Sequence, residues 1–163
     1  MISTKIIPVE DMILPLRGKK VILYTDAARL YEVSTRTLNQ AVSRNLNCFP
    51  KDTMFKLSSN EIKSLVESCN RFKKLKHSNS IPRVFDGFGF SMVANILKSD
   101  LAIKTTIEVI RYIVDPKGHP LNPSNQKMDV IFKTMDTLIR PIEPKKTKIG
   151  FKKNEGQNDR KRK

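Results

Sequence analysis

Tryptophan is absent from the 163 residues, and cysteine and histidine occur twice each. Cys48 and Cys69 have no histidine at zinc-site spacing, so a structural metal site is not expected. One isolated cysteine pair is little for a disulfide-stapled secreted domain, and a reduced compartment is the simpler expectation. No apolar run approaches the ~18 residues that span a bilayer, and the first residues carry no signal-peptide pattern. His77 and His119 sit in polar stretches, and no nucleophile has a base near it. Gly87-Phe88-Gly89 lacks the downstream residues of a phosphate-cradling loop. The expectation is a protein that is not an enzyme, with no cofactor, no metal and no membrane partner.

Acids are scarce too. Sixteen Asp and Glu face 31 Lys and Arg, a net charge of +15. Such an imbalance costs self-repulsion unless a polyanion relieves it, and nucleic acid is the commonest polyanion. A generally basic, lysine-rich proteome is the bland alternative. With 39% hydrophobic residues the chain can still build one compact core with extensions.

What is present begins with "ILPLRGKKVILYT", residues 13–25. Two apolar-rich runs flank Arg17-Gly18-Lys19 and predict a β-hairpin, with glycine supplying a positive φ. Thr25 or Asp26 is placed to cap the helix that follows. "TDAARLYEVSTRTLNQAVSRN" then reads as two short helices joined at "EVS", with Val33 as an apolar plug and Ser34 as the second cap. Leu38, Ala41 and Val42 fall at i, i+3 and i+4 and point inward. Thr35, Arg36, Asn39, Gln40, Ser43 and Arg44 take the outer face. Arg matches guanine edges, Asn and Gln match adenine, and Ser or Thr matches either. No acid lies between Glu32 and Asp52, whereas a solvated helix face usually mixes signs. The pair is therefore read as a helix-turn-helix that enters a DNA groove, or else as two core helices meeting at a corner.

Further along, residues 53–57 read as a strand, and Ser58 with Glu61 as a capping box. Ile62, Leu65, Val66 and Cys69 form a helical stripe, which makes Cys69 a core residue. "RFKKLKHSNS" reads as a basic loop whose Arg71, Lys73, Lys74 and Lys76 rest on phosphates or are simply solvated. A strand and a glycine turn follow, then a helix over residues 91–97. Ser99 starts another helix, with Ile103, Ile107, Ile110 and Val114 as core. "DPKGHPLNPSN" ends it.

Met128, Ile131, Phe132, Met135 and Leu138 make the apolar stripe of a last helix. The stripe docks on its own domain or pairs with a second copy, and homodimerisation is slightly favoured. Residues 141–163 hold nine basic and three acidic residues, +6 of the total, and read as a disordered tail that adds non-specific affinity by resting on DNA phosphates. The organisation expected is a helix-turn-helix-type DNA-binding domain over 1–115, a linker over 116–124, an amphipathic helix over 125–140 and the tail. The fold class is α+β, a small winged-helix-like domain with short β-hairpins.

These motifs together resemble a known family. "LRGKKVILYTDAARLYEVSTRTLNQAVSRNLNCFPKDTMFKL" is similar to the domain named for the N-terminal part of a phage open reading frame six, a relative of the KilA-N group. Arg17, Gly18, Asp26, Leu30, Tyr31, Val33, Thr35, Leu38, Asn39, Arg44, Asn45, Phe49, Pro50, Asp52, Met54 and Phe55 carry the likeness. Phe85, Gly89, Met92, Leu97, Ser99, Ala102, Ile103 and Arg111 extend it. Glu32 stands where the family often has glycine, and Gly87-Phe88 where it usually has Glu-Gln. The resemblance implies a phage- or prophage-type protein that binds double-stranded DNA and regulates transcription in a bacterial cytoplasm, associated with the nucleoid. The alternative it leaves open is an antirepressor-like module that grips another protein.

Overall fold

The computed structural model describes residues 7–115, 117–118 and 126–142. The protein is a mixed α+β domain, a small antiparallel sheet packed among helices. A short helix α1 (Val9–Met12) leads into β1 (Ile13–Leu16) and β2 (Lys19–Leu23), which form the expected hairpin with Leu14 opposite Val21. A two-residue hairpin turn of type I′ requires positive φ at both positions. Gly18 (φ 73°) meets this freely, while Arg17 (φ 51°) does so against its Cβ. The Arg17 side chain offsets that cost. Its Nε and Nη2 donate to the two carboxylate oxygens of Glu61 at 2.8 and 2.9 Å, and the guanidinium lies 4.1 Å from the Phe55 ring centre.

Glu61 belongs to α4 (Ser59–Ser68) and closes the expected capping box: the Ser58 N–H donates to its carboxylate at 2.7 Å, and the Glu61 N–H donates to Ser58 Oγ at 3.2 Å. One carboxylate thus fastens the hairpin turn to a helix start. Behind the turn, β2 pairs with β4 (Arg83–Phe85), and β4 with β3 (Met54–Lys56), in the order β1-β2-β4-β3. Val21, Ile22, Val84 and Phe85 have no exposed surface.

α2 (Tyr24–Leu30) follows β2 without a loop. Neither Thr25 nor Asp26 caps it. Leu23 holds the cap position with no side-chain bond, and Asp26 sits inside the first turn, where it is buried. α3 (Thr35–Arg44) starts as expected, with Ser34 Oγ accepting from the Thr37 N–H at 3.0 Å. Between the two helices Glu32 adopts φ 57°, the left-handed conformation glycine adopts more freely, and its carboxylate pairs with Lys127. Leu38 and Val42 are fully buried.

Several expectations change here. α4 ends at Ser68, and Cys69 turns to extended backbone, so it leaves the stripe and is exposed rather than core. The basic stretch after it is not a loop. Residues Asn70–His77 form a 3₁₀ helix that buries Phe72 and Leu75. Their i, i+3 spacing puts both on one edge of a three-residue turn. The glycine turn is also helical: α5 (Gly87–Ile96) begins four residues early because Asp86 caps it, accepting from the Gly89 N–H at 2.9 Å. A Cβ on Gly89 would lie 2.4 Å from the Thr53 carbonyl oxygen, so the helix can approach the strand only as glycine.

α6 (Asp100–Val114) is capped by Ser99 and turns Leu101, Ala102 and Thr105 inward. Ile103 and Ile107 consequently face out and are exposed, against the expectation of core. Ile110 and Val114 lie outside the described side chains.

α7 (Gln126–Ile139) lies against α5 and β2 and touches α1, α2 and α6. Met128, Ile131, Phe132, Met135 and Leu138 are all buried within their own chain. The expectation that these five form a homodimer seam is corrected: their apolar surface is already covered. The linker expected over 116–124 and the tail from 143 onward fall almost wholly outside the described residues. Among the described residues, no helix is long and apolar enough to cross a membrane.

Two outcomes follow from this packing. The Arg17 guanidinium, and after it the Ser58 N–H, lowers the Glu61 carboxyl from 4.5 to about 2. A carboxylate more acidic when folded contributes stability above its unfolded pKa and loses it as pH falls through the folded one. Urea midpoints should therefore drop between pH ~4.5 and ~2, and Glu61→Gln should flatten that window; an equal slope in both proteins would refute the link. Separately, Ile131→Ala should cost about 2–5 kcal/mol, the usual range for an emptied core site. The loss should be independent of protein concentration in thermal melts, whereas a dimer seam would make it concentration-dependent.

Candidate nucleic-acid interface

α3 owes its orientation to Leu38 and Val42, which anchor one face and leave the other to solvent. On that outer face Thr35, Arg36, Gln40, Ser43 and Arg44 are exposed and Asn39 is half-buried. Arg36, Asn39, Gln40, Ser43 and Arg44 together line one shallow, open depression of about 350 Å³. Thr35 lies at the helix start and is not among its lining residues. Among the described residues no carboxylate pairs with Arg36 or Arg44. Five donor-rich or amide side chains thus converge on one open surface, with no acid among its lining residues.

The 3₁₀ helix does not supply a second wall to this depression. Lys73, Lys74 and Lys76 are exposed but do not line it, and Lys76 lines a separate groove with Ile62, Val66, Ile81 and Pro82. Arg71 points inward instead. Its Nη1 donates to both carboxylate oxygens of the buried Asp26 at 3.0 and 2.9 Å, and its Nη2 donates to the Asp11 carbonyl at 2.7 Å. The phosphate role expected for Arg71 is therefore corrected, because its guanidinium holds a buried carboxylate. A charge count along the segment cannot reveal this, since the partner lies 45 residues away.

A residue that the sequence reading passed over stands beside the α3 face. Arg83 opens β4 and brings its Nη2 to 3.5 Å from Ser43 Oγ. Its neighbours "IPRVF" read only as a strand, so nothing local linked it to α3.

The ORF6N domain family matches residues 11–96 of the chain, more than half of its length. The chain belongs to that family. The ORF6N region runs from the end of α1 through α5 and includes the whole α2–turn–α3 unit. α6 and α7 lie beyond it, yet α7 is packed into the same core. No curated protein and no solved structure matches the chain.

The Arg71 assignment is testable by stability. Arg71→Ala leaves the Asp26 carboxylate, which is 1% exposed, with only the looser Arg29 contact at 3.7 Å. Breaking a buried pair in this way costs about 3 kcal/mol, whereas loss of a solvated surface cation costs less than about 0.5. Urea unfolding distinguishes the two, and a near-neutral result would return Arg71 to the surface role.

Proposed function

We propose that this ORF6N protein binds double-stranded DNA and acts as a phage- or prophage-type transcriptional regulator. In this reading α2, the turn at Glu32 and α3 are a helix-turn-helix, and α3 enters the major groove. One observation carries the reading: the outer face of α3 gathers Arg36, Asn39, Gln40, Ser43 and Arg44 around one depression, and among the described residues no carboxylate pairs with its cations. Base edges in the major groove offer the acceptors and donors that these groups match. Arg36, Asn39 and Gln40 are assigned to base edges. Arg44 is assigned to phosphate, and Lys73, Lys74 and Lys76 to phosphates farther along the duplex. The +15 charge supplies the long-range attraction that such a surface needs.

An Arg36→Ala, Asn39→Ala double variant tests the assignment by fluorescence anisotropy on several labelled duplexes. Each bidentate base contact is worth about 1–3 kcal/mol, so binding to a preferred duplex should weaken by at least tenfold while discrimination among duplexes is lost. The thermal midpoint should hold, because neither side chain is in the core. Unchanged affinity would make α3 a structural helix. No binding to any duplex at low salt would transfer the protein to the antirepressor-like reading, a module that grips another protein.

A further inference from the structure

Three arginines bracket the sheet, and their guanidinium groups are satisfied very differently. Arg17 is filled by the Glu61 carboxylate and the Lys56 carbonyl. Arg71 is filled by Asp26 and the Asp11 carbonyl. Among the described residues Arg83 meets only the Ser43 hydroxyl, at the long limit of 3.5 Å. A guanidinium carries five N–H donors in a planar fork that fits a two-oxygen anion. Arg83 is half-buried, so its group is held in place with most donors unclaimed by the described residues.

Its cross-strand partner sharpens the point. In the β3–β4 register Arg83 lies directly opposite Lys56. Opposed side chains in an antiparallel pair share one face, with Cβ atoms about 5 Å apart, and like charges there destabilise the sheet. Among the described residues no carboxylate pairs with either cation. A lysine on an edge strand also serves to discourage strand addition, and β3 is an edge. That role explains Lys56 alone. It does not explain Arg83, which sits on the inner strand β4 and leans toward α3.

We propose that Lys56 and Arg83 form a second phosphate-binding element, continuous through Ser43 with the α3 face. Resting on the DNA-binding reading of α3, this assigns the β3–β4 strands to consecutive backbone phosphates beside the groove that α3 enters. The anion is a phosphodiester strand, because two adjacent cations without acids relieve their mutual repulsion on a repeating anion. The element is assigned to phosphates and not to base edges, because a lysine and an arginine held side by side on a strand pair match successive backbone anions.

The test uses the full chain with Lys56→Gln and Arg83→Gln combined, and Lys56→Gln alone as the variant least able to disturb folding. Binding to several labelled duplexes is followed across a sodium chloride series. Each lost phosphate contact removes about 0.9 from the slope of log affinity against log salt. The double variant should therefore show a slope shallower by about 1.8, the single variant by about 0.9, and both should weaken on every duplex by a common factor. An unchanged slope, in a protein whose binding still falls with Arg36→Ala and Asn39→Ala, would overturn this element and leave the α3 reading intact. A selective loss on one duplex would overturn its assignment to phosphate. Failure of the unaltered protein to bind any duplex would overturn both readings together.

Discussion

Tyr31 has no exposed surface and stands where α2 ends. Its hydroxyl donates to the Phe90 carbonyl at 2.9 Å, its ring lies 4.9 Å from that of Phe90, and its own carbonyl accepts from Ser99 Oγ at 3.2 Å. One residue therefore ties the α2–α3 turn to α5 and to the start of α6. Burial pushes its phenol well above the usual range, so it remains a donor at any physiological pH. The next residue, Glu32, must then leave the helix in a left-handed conformation to let α3 cross. Fixing Tyr31 fixes where that reversal occurs. The direction of α3, and with it the face that carries Arg36 and Asn39, depends on this buried anchor.

α7 reinforces the same corner from outside the ORF6N region. It buries its apolar stripe on α5 and β2, and Lys127 reaches the Glu32 carboxylate at the turn. Exposed pairs of this kind contribute at most about 1 kcal/mol, so the stripe and not the ion pair holds the helix. A chain cut where the family match ends would expose Gly87, which Leu138 and Ile139 now approach, and the β2 surface against which α7 packs. The folded unit is thus larger than the family segment, and the elements beyond that segment are part of its core.

Local signals were legible in the sequence where the deciding partner is close along the chain. The turn of the hairpin, the Ser34 and Ser99 caps and the Ser58–Glu61 box all involve residues within four positions of each other. Errors arise where a distant partner decides. Asp26 has the right type and place for a cap, but Arg71 draws it into the interior and the helix begins before it. Arg71 looks like one more cation in a basic run until Asp26 is seen beside it. Ile103 and Ile107 fit a helical stripe, yet Leu101 and Ala102 win the inward face because α5 packs on that side. For the last helix the sequence allowed docking or dimerisation, and no pattern within residues 126–139 distinguishes its own domain from a second copy. Arg83 is the same limitation at the candidate site, since only the fold brings it to Ser43.

The charge of the protein divides along these lines. Cations that link separate elements of the fold have carboxylates: Arg17 with Glu61, Lys19 with Asp86, Arg71 with Asp26, Lys133 with Glu10. Arg36, Arg44, Lys56 and Arg83 have none among the described residues, and Ser43 lies between the helix pair and the strand pair. Random placement of 16 acids among 31 bases would leave many cations unpaired, so lack of a partner alone says little. Adjacency says more. Unpaired cations drift apart unless the backbone holds them, and here a strand register and a helix face hold them close at an energetic cost. On the proposed reading that cost is returned when a phosphate strand lies across the ridge, which makes the repulsion in the free protein a component of its affinity for DNA.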